Sequence, residues 1–429
     1  MRREAALRFF EGMTEEMKHR IDAGIEENRK GNALLDACPD GQLLPEGTPV
    51  EAELVNHAFR FGANLFMLDE MESDEKNRIY REKFAELFNL ATVPFYWSDL
   101  EPEKGKPRYD KDSPKVYRRP ATDLCLEYCR EKNIEPKCHC LNYDKFVPTW
   151  LRGADPAEMK KALSAHFREI AERYADQIPS FEVTNETLSS KYLSSFFMED
   201  DFVEWSWREA EKYFPNNRLI INEYRTFSPC INNRNFYYLL LERLFNEGIT
   251  HLDTIGFQFH TFQPREAEAK VAMTRYNPDF MLSFLDLFSR FGRKLQLTEM
   301  TIPAYSNAAE DEEIQADLLV NLFKLFFSHK SMDSIVYWNL VDGYAAFAPQ
   351  GDMTAGENLY YGGLLRFDMS EKPAFRALKK LIREEWHTKA STAVQGGKIA
   401  FRGFYGDYRI TAHLPEGDKV FDYTLKPEA

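Results

Sequence analysis

The chain has 429 residues, 44% of them apolar and 29% charged, and a formal net charge of -14. This suits one large soluble domain with a small addition. The negative charge, with no long Lys/Arg run, argues against nucleic acid and anionic membranes as partners.

No apolar stretch reaches the roughly 20 residues needed to cross a bilayer. The start, Met1-Arg2-Arg3-Glu4, lacks a signal-peptide core. The six cysteines (Cys38, Cys125, Cys129, Cys138, Cys140 and Cys230) show no disulfide-framework spacing. They read as reduced thiols, and the protein as cytoplasmic.

In chain order, residues 25–58 carry turn signals, Pro39-Asp40-Gly41 and Pro45-Glu46-Gly47, between short alternating runs such as Val50–Val55. Eight short apolar runs follow: Phe59–Leu65, Leu87–Val93, Ile134–Leu141, Ser180–Asn185, Arg218–Asn222, Leu252–Gln258, Lys294–Thr298 and Ser334–Trp338. Helical patterns separate them: Pro156–Tyr174 behind an Asp155 cap, Phe202–Tyr213, Asn235–Asn246, Pro278–Phe291 and Glu312–Ser328. Eight strands alternating with helices predict an α/β fold, a (β/α)₈ barrel. Residues 395–429 return to hairpin patterns. Neither end has enough apolar surface to fold alone, so the two are expected to pair into a small β-module beside the barrel. The expected divisions are 1–58, 59–387 for the catalytic barrel, and 388–429.

Polar residues collect where the runs end: Asn185-Glu186, Asn222-Glu223, Gln258 with His260, Glu299, and Trp338-Asn339. In a parallel barrel those ends form the active-site face. Glycoside hydrolysis needs two carboxyl groups, one to protonate the leaving oxygen and one to attack the anomeric carbon. Glu186 after the fourth run and Glu299 after the seventh supply such a pair. Asn185 is placed to hold the sugar 2-hydroxyl.

These motifs resemble glycoside hydrolase family 10, the endo-β-1,4-xylanase family, over roughly residues 57–385. Phe181-Glu182-Val183-Thr184-Asn185-Glu186 is similar to its acid/base motif and Leu297-Thr298-Glu299 to its nucleophile motif. Ile220-Ile221-Asn222-Glu223-Tyr224, Gly256-Phe257-Gln258-Phe259-His260 and Gly363-Leu364-Leu365-Arg366-Phe367-Asp368 are similar to further strands. The resemblance implies a retaining hydrolase of xylan or xylo-oligosaccharides. Glu186 would be the acid/base, Glu299 the nucleophile, and Asn185, His139, Tyr143, Gln258, His260, Trp338, Asn222, Tyr224 and Trp97 would hold the sugar. It implies a carbohydrate substrate; no cofactor or metal is expected, and the sequence leaves the oligomeric state open.

The second run, Phe88-Asn89-Leu90-Ala91-Thr92-Val93-Pro94-Phe95-Tyr96-Trp97, lacks the family's Glu, Asn and Lys that grip the next sugar. The family's second His after the third strand is Asp144, expected near the reaction centre, where it would raise a neighbouring carboxyl's pKa or bind substrate hydroxyls. The Asp expected two residues after the nucleophile is Thr301. Competing readings are an exo-acting β-glycosidase on short oligosaccharides, a glycan-binding barrel without catalysis, and a metal-dependent hydrolase. Cys138-His139-Cys140 has poor spacing for zinc.

Overall fold

A computed structural model of the chain describes residues 2–189, 191–228 and 234–427; Cys230 lies outside them. Two helices, Arg2–Glu11 and Glu15–Arg29, open the chain. Strands β1 (Lys30–Asp36) and β2 (Pro49–His57) follow. Next come β3 (Arg60–Asn64), β4 (Leu90–Pro94), β5 (Glu135–His139), β6 (Ser180–Asn185), β7 (Arg218–Glu223), β8 (Thr254–His260), β9 (Lys294–Thr301) and β10 (Met332–Tyr337). These eight form a closed parallel barrel in the order β10-β3-β4-β5-β6-β7-β8-β9. The predicted (β/α)₈ architecture is therefore present.

The strands are buried on both faces, which is why they read as near-continuous apolar runs. The second barrel strand starts later than the apolar run Leu87–Val93 predicts. Leu87 closes the helix Asp74–Leu87, and β4 starts only at Leu90. The helix Pro156–Tyr174 starts as its sequence signals, with Asp155 accepting from the Glu158 amide at 2.9 Å. Gly256 on β8 permits a close approach of three strands. A Cβ there would lie 2.6 Å from both Ile221 O on β7 and Thr298 Cγ2 on β9.

The two ends of the chain do pair, but in two sheets. β1 runs antiparallel to β12 (Lys398–Phe404). β2 lies between β11 (Lys389–Ala393) and β13 (Gly406–Leu414), with β14 (Gly417–Leu425) at the edge. Ile399, Phe401, Phe404, Tyr408 and Ile410 of the C-terminal strands are buried in the core. No helix among the described residues is long and apolar enough to cross a membrane.

Candidate active site

A cleft of about 740 Å³ opens where the barrel strands end, and its lining includes Glu186, Glu299, Asn185, Gln258, His260 and Trp338. Glu186 follows β6, the fourth barrel strand, and Glu299 sits on β9, the seventh.

A hydrogen-bonded chain joins the two glutamates. Gln258 Nε2 donates to Glu186 Oε1 (3.3 Å) and to Asn185 Oδ1 (3.2 Å). Asn222 Nδ2 donates to Asn185 Oδ1 (2.8 Å) and to Glu299 Oε1 (2.9 Å). Asn185 and Asn222 are register partners across β6 and β7, so strand pairing sets the spacing. The Asn185 amide oxygen accepts twice, which leaves its NH₂ group for a ligand.

His260 Nε2 contacts Glu299 Oε2 at 3.0 Å, and its Nδ1 contacts Thr301 Oγ1 at 3.0 Å. Burial pushes the His260 pKa down to about 4, so the ring is neutral near pH 7. A neutral Thr301 is a fitting partner for such a ring. Trp338 lines the cleft, edge-on to Phe66 (5.3 Å) and His139 (5.4 Å).

Beneath the cleft, His139 belongs to a buried charged cluster whose other members, Lys137 and Glu182, carry no site motif of their own in the sequence. Lys137 and His139 Nδ1 both contact the fully buried carboxylate of Glu182. Burial alone would raise the Glu182 pKa, but the charges of Lys137 and His139 overcome it and hold the group at about 2. The other ring nitrogen of His139 meets Tyr96 Oη at 2.9 Å and lies 4.0 Å from Glu299 Oε1.

The two catalytic candidates have different surroundings. Burial raises the Glu299 pKa to about 8; Glu182 and Glu186 add to this, while His139 and Asn222 oppose it. Glu186 is also pushed up by burial, but the Lys145 ammonium beside it reverses the sign. Hydrogen bonds from Lys145, Tyr143 and Gln258 help hold it below the usual carboxylate value. Glu186 has a left-handed backbone, φ 52°, unusual for a side-chain-bearing residue. The turn after it is held by Glu223, which accepts from the Thr187 amide (2.8 Å) and the Leu188 amide (3.2 Å).

His139, Tyr143 and Tyr224 line the same cleft. Asn222 does not line it; fully buried, it supports the pair from below. Asp144 departs from expectation. Its carboxylate turns away from the cleft and accepts from the Lys191 and Tyr192 amides, anchoring the loop after β6. Lys145, one residue on, reaches Glu186 instead. Trp97 is also absent from the cleft. It lies on the short helix Trp97–Leu100, with its ring stacked on His166 at 4.2 Å and its Nε1 donating to Glu101.

Lys145, Arg118, Arg119 and Glu357 line the cleft without having been expected. They come from loops, where no strand periodicity marks them.

The family model for glycosyl hydrolase family 10 matches residues 53–381. The chain belongs to glycosyl hydrolase family 10. It is 25% identical over 410 residues to the anti-sigma-I factor RsgI6 of Acetivibrio thermocellus, covering 94% of this chain and 47% of that one. It is 23% identical to endo-1,4-beta-xylanase C of Paenibacillus barcinonensis, covering 69% of this chain and 29% of the relative. The chain thus spans less than half the length of these relatives. The same family fold appears in native xylanase 10B from Thermotoga maritima, with a TM-score of 0.59 and 20% identity, covering 76% of this chain and 96% of that one. Xylanase XynB from Paenibacillus barcinonensis gives a TM-score of 0.57 at 19% identity, with 75% and 95% covered.

Proposed function

We propose that the protein cleaves β-linked xylan or xylo-oligosaccharides by retaining double displacement, with Glu299 as nucleophile and Glu186 as acid/base. The observation that carries this reading is the bridge from Glu186 through Gln258, Asn185 and Asn222 to Glu299 at the mouth of one cleft. The xylan substrate rests on the names of the relatives.

Double displacement needs one proton on the pair, held by the acid/base at the start. The resting site favours it on Glu299, because Lys145 keeps Glu186 ionised. A sugar gathering positive charge at its anomeric carbon stabilises an ionised Glu299. A substrate that displaces Lys145 lets Glu186 take the proton. Glu299 then attacks, Glu186 protonates the leaving oxygen, and Glu186 later deprotonates the water that releases the sugar. His260, Asn222 and Asn185 orient the partners throughout.

A second reading, exo-action on short oligosaccharides, is favoured by one contact. Arg118, on the loop after β4, donates to the carbonyl oxygen of Tyr344 on the loop after β10. The two loops are thereby joined across the intervening β3 end of the cleft.

Rescue by azide tests the assignments. Glu299→Ala should lose several orders of magnitude on nitrophenyl β-xyloside, because no glycosyl-enzyme forms. Glu186→Ala should keep the first step, since nitrophenolate needs little protonation, and should regain rate with azide to give a β-glycosyl azide. An α-azide from Glu186→Ala would exchange the roles. Loss below about tenfold in both variants would place the chemistry elsewhere.

A further inference from the structure

Two side chains that line the cleft have no role in the bond-breaking steps above. Glu357 sits in the short helical turn Gly356–Tyr360, on the long connection after β10. That turn is held in place by Asn358, whose Oδ1 accepts from the Ala345 amide (2.9 Å) and whose Nδ2 donates to Asp352 O (3.0 Å). Glu357 lines the cleft, yet its Oε2 is shielded from solvent and has no hydrogen-bond partner among the described residues. An orphaned carboxylate oxygen is costly and calls for a donor.

Arg118 faces the same cleft from the loop after β4 and is buried. Its Nη1 is taken by Tyr344 O and by Asn339 Oδ1 at 3.4 Å. Its other guanidinium nitrogens have no hydrogen-bond partner among the described residues, and the group lies over the Phe66 ring at 5.8 Å. Burial and Arg119 both push against its charge, and Glu357 supports it. Burial raises the Glu357 pKa; His260 and Arg118 oppose this, and Glu299 adds to it. An acceptor that lacks a donor and a donor with unused N–H groups thus line one cleft together with Glu299.

We infer that Glu357 and Arg118 are the specificity-determining pair that binds ring hydroxyls of the sugar lying against Glu299. This inference rests on the reading of the cleft as a glycosidase site. The class of ligand follows from the groups on offer: Glu357 supplies an acceptor and Arg118 supplies N–H donors. A neutral pyranose with adjacent free hydroxyls offers O–H donors to Glu357 and oxygen acceptors to Arg118.

The test pairs a protein deletion with a substrate deletion. Nitrophenyl β-xyloside and its 3-deoxy and 4-deoxy analogues are assayed with wild type, Glu357→Gln, Glu357→Ala and Arg118→Lys. Thermal melts check that each variant is folded. In wild type, removing the contacted hydroxyl should lower kcat/KM by about 10- to 100-fold, the worth of a hydrogen bond to a charged group. In Glu357→Gln the parent substrate should fall by a similar factor, and deoxygenation should then cost less than about threefold more. A merely structural Glu357 would leave the deoxy penalty unchanged for both analogues, and that result would overturn the inference.

Saturation-transfer NMR with xylobiose, which needs no turnover, separates the two levels. If wild type cleaves no nitrophenyl β-glycoside, the catalytic reading fails. Loss of the xylobiose signal in Glu357→Gln would still support the subsite, and an unchanged signal would overturn it. No binding of xylobiose to wild type would overturn both.

Discussion

Replacing Lys137 by Met tests how far the buried charge cluster supports the site. Lys137 and Glu182 are both 0% exposed and in direct contact, and Lys137 also donates to Gln296 at 3.2 Å. Removing one partner of such a pair strands the other charge, at a cost of about 3–5 kcal/mol. Unfolding entropy is about 2.1 cal/mol/K per residue, so for 429 residues it is about 0.9 kcal/mol/K. The melting temperature should then fall by about 3–6 °C, and kcat/KM should fall with it, because Glu182 orients His139 beside Glu299. Adding Glu182→Gln to Lys137→Met should return about half of the lost stability, since no isolated charge remains.

The pH dependence gives a second check by calorimetry. Glu182 is held at about 2 in the folded state against a usual value of 4.5. Its stabilisation is therefore present above the unfolded value and is lost as pH falls through the folded one. Wild type should lose stability over that acid window, and Lys137→Met should show a flatter profile there. A melting temperature within 1 °C of wild type, with an unchanged acid slope, would refute the reasoning.

Two further outcomes follow from the same structure. Lys145 holds the Glu186 pKa down, so Lys145→Met should raise it and carry the alkaline limb of kcat/KM to higher pH; a limb that stays or moves to lower pH would count against the ion pair's role. Ending the chain at Gln395 removes β12 to β14 with six large buried side chains, Ile399, Phe401, Phe404, Tyr408, Ile410 and Leu425. At about 1.5–3 kcal/mol each this approaches the whole stability of a domain, so limited proteolysis should find the shortened chain unfolded. A protease-resistant, active product would show that the barrel stands without the terminal sheets.

The barrel could be read from the sequence because its signal is local. Strands buried on both faces must be apolar throughout, and the polar residues at their ends interrupt that pattern at Asn185-Glu186, Gln258 and Glu299. Strand pairing then converts those positions into neighbours, which is how Asn185 and Asn222 come to share a hydrogen bond. Loop side chains obey no such rule. Asp144 and Lys145 are adjacent in sequence, yet the short helical turn Asp144–Phe146 sends one to the backbone of the loop after β6 and the other to Glu186. Trp97 leaves the cleft because a one-turn helix directs its ring onto His166. Glu357 reaches the cleft from nearly 60 residues beyond Glu299 only because the connection after β10 folds back over the barrel mouth. The sequence by itself determined the strands, the barrel they close into and the residues at their ends. Only the tertiary structure decided which loop charges meet there, because a loop's course depends on contacts with segments far away in the chain.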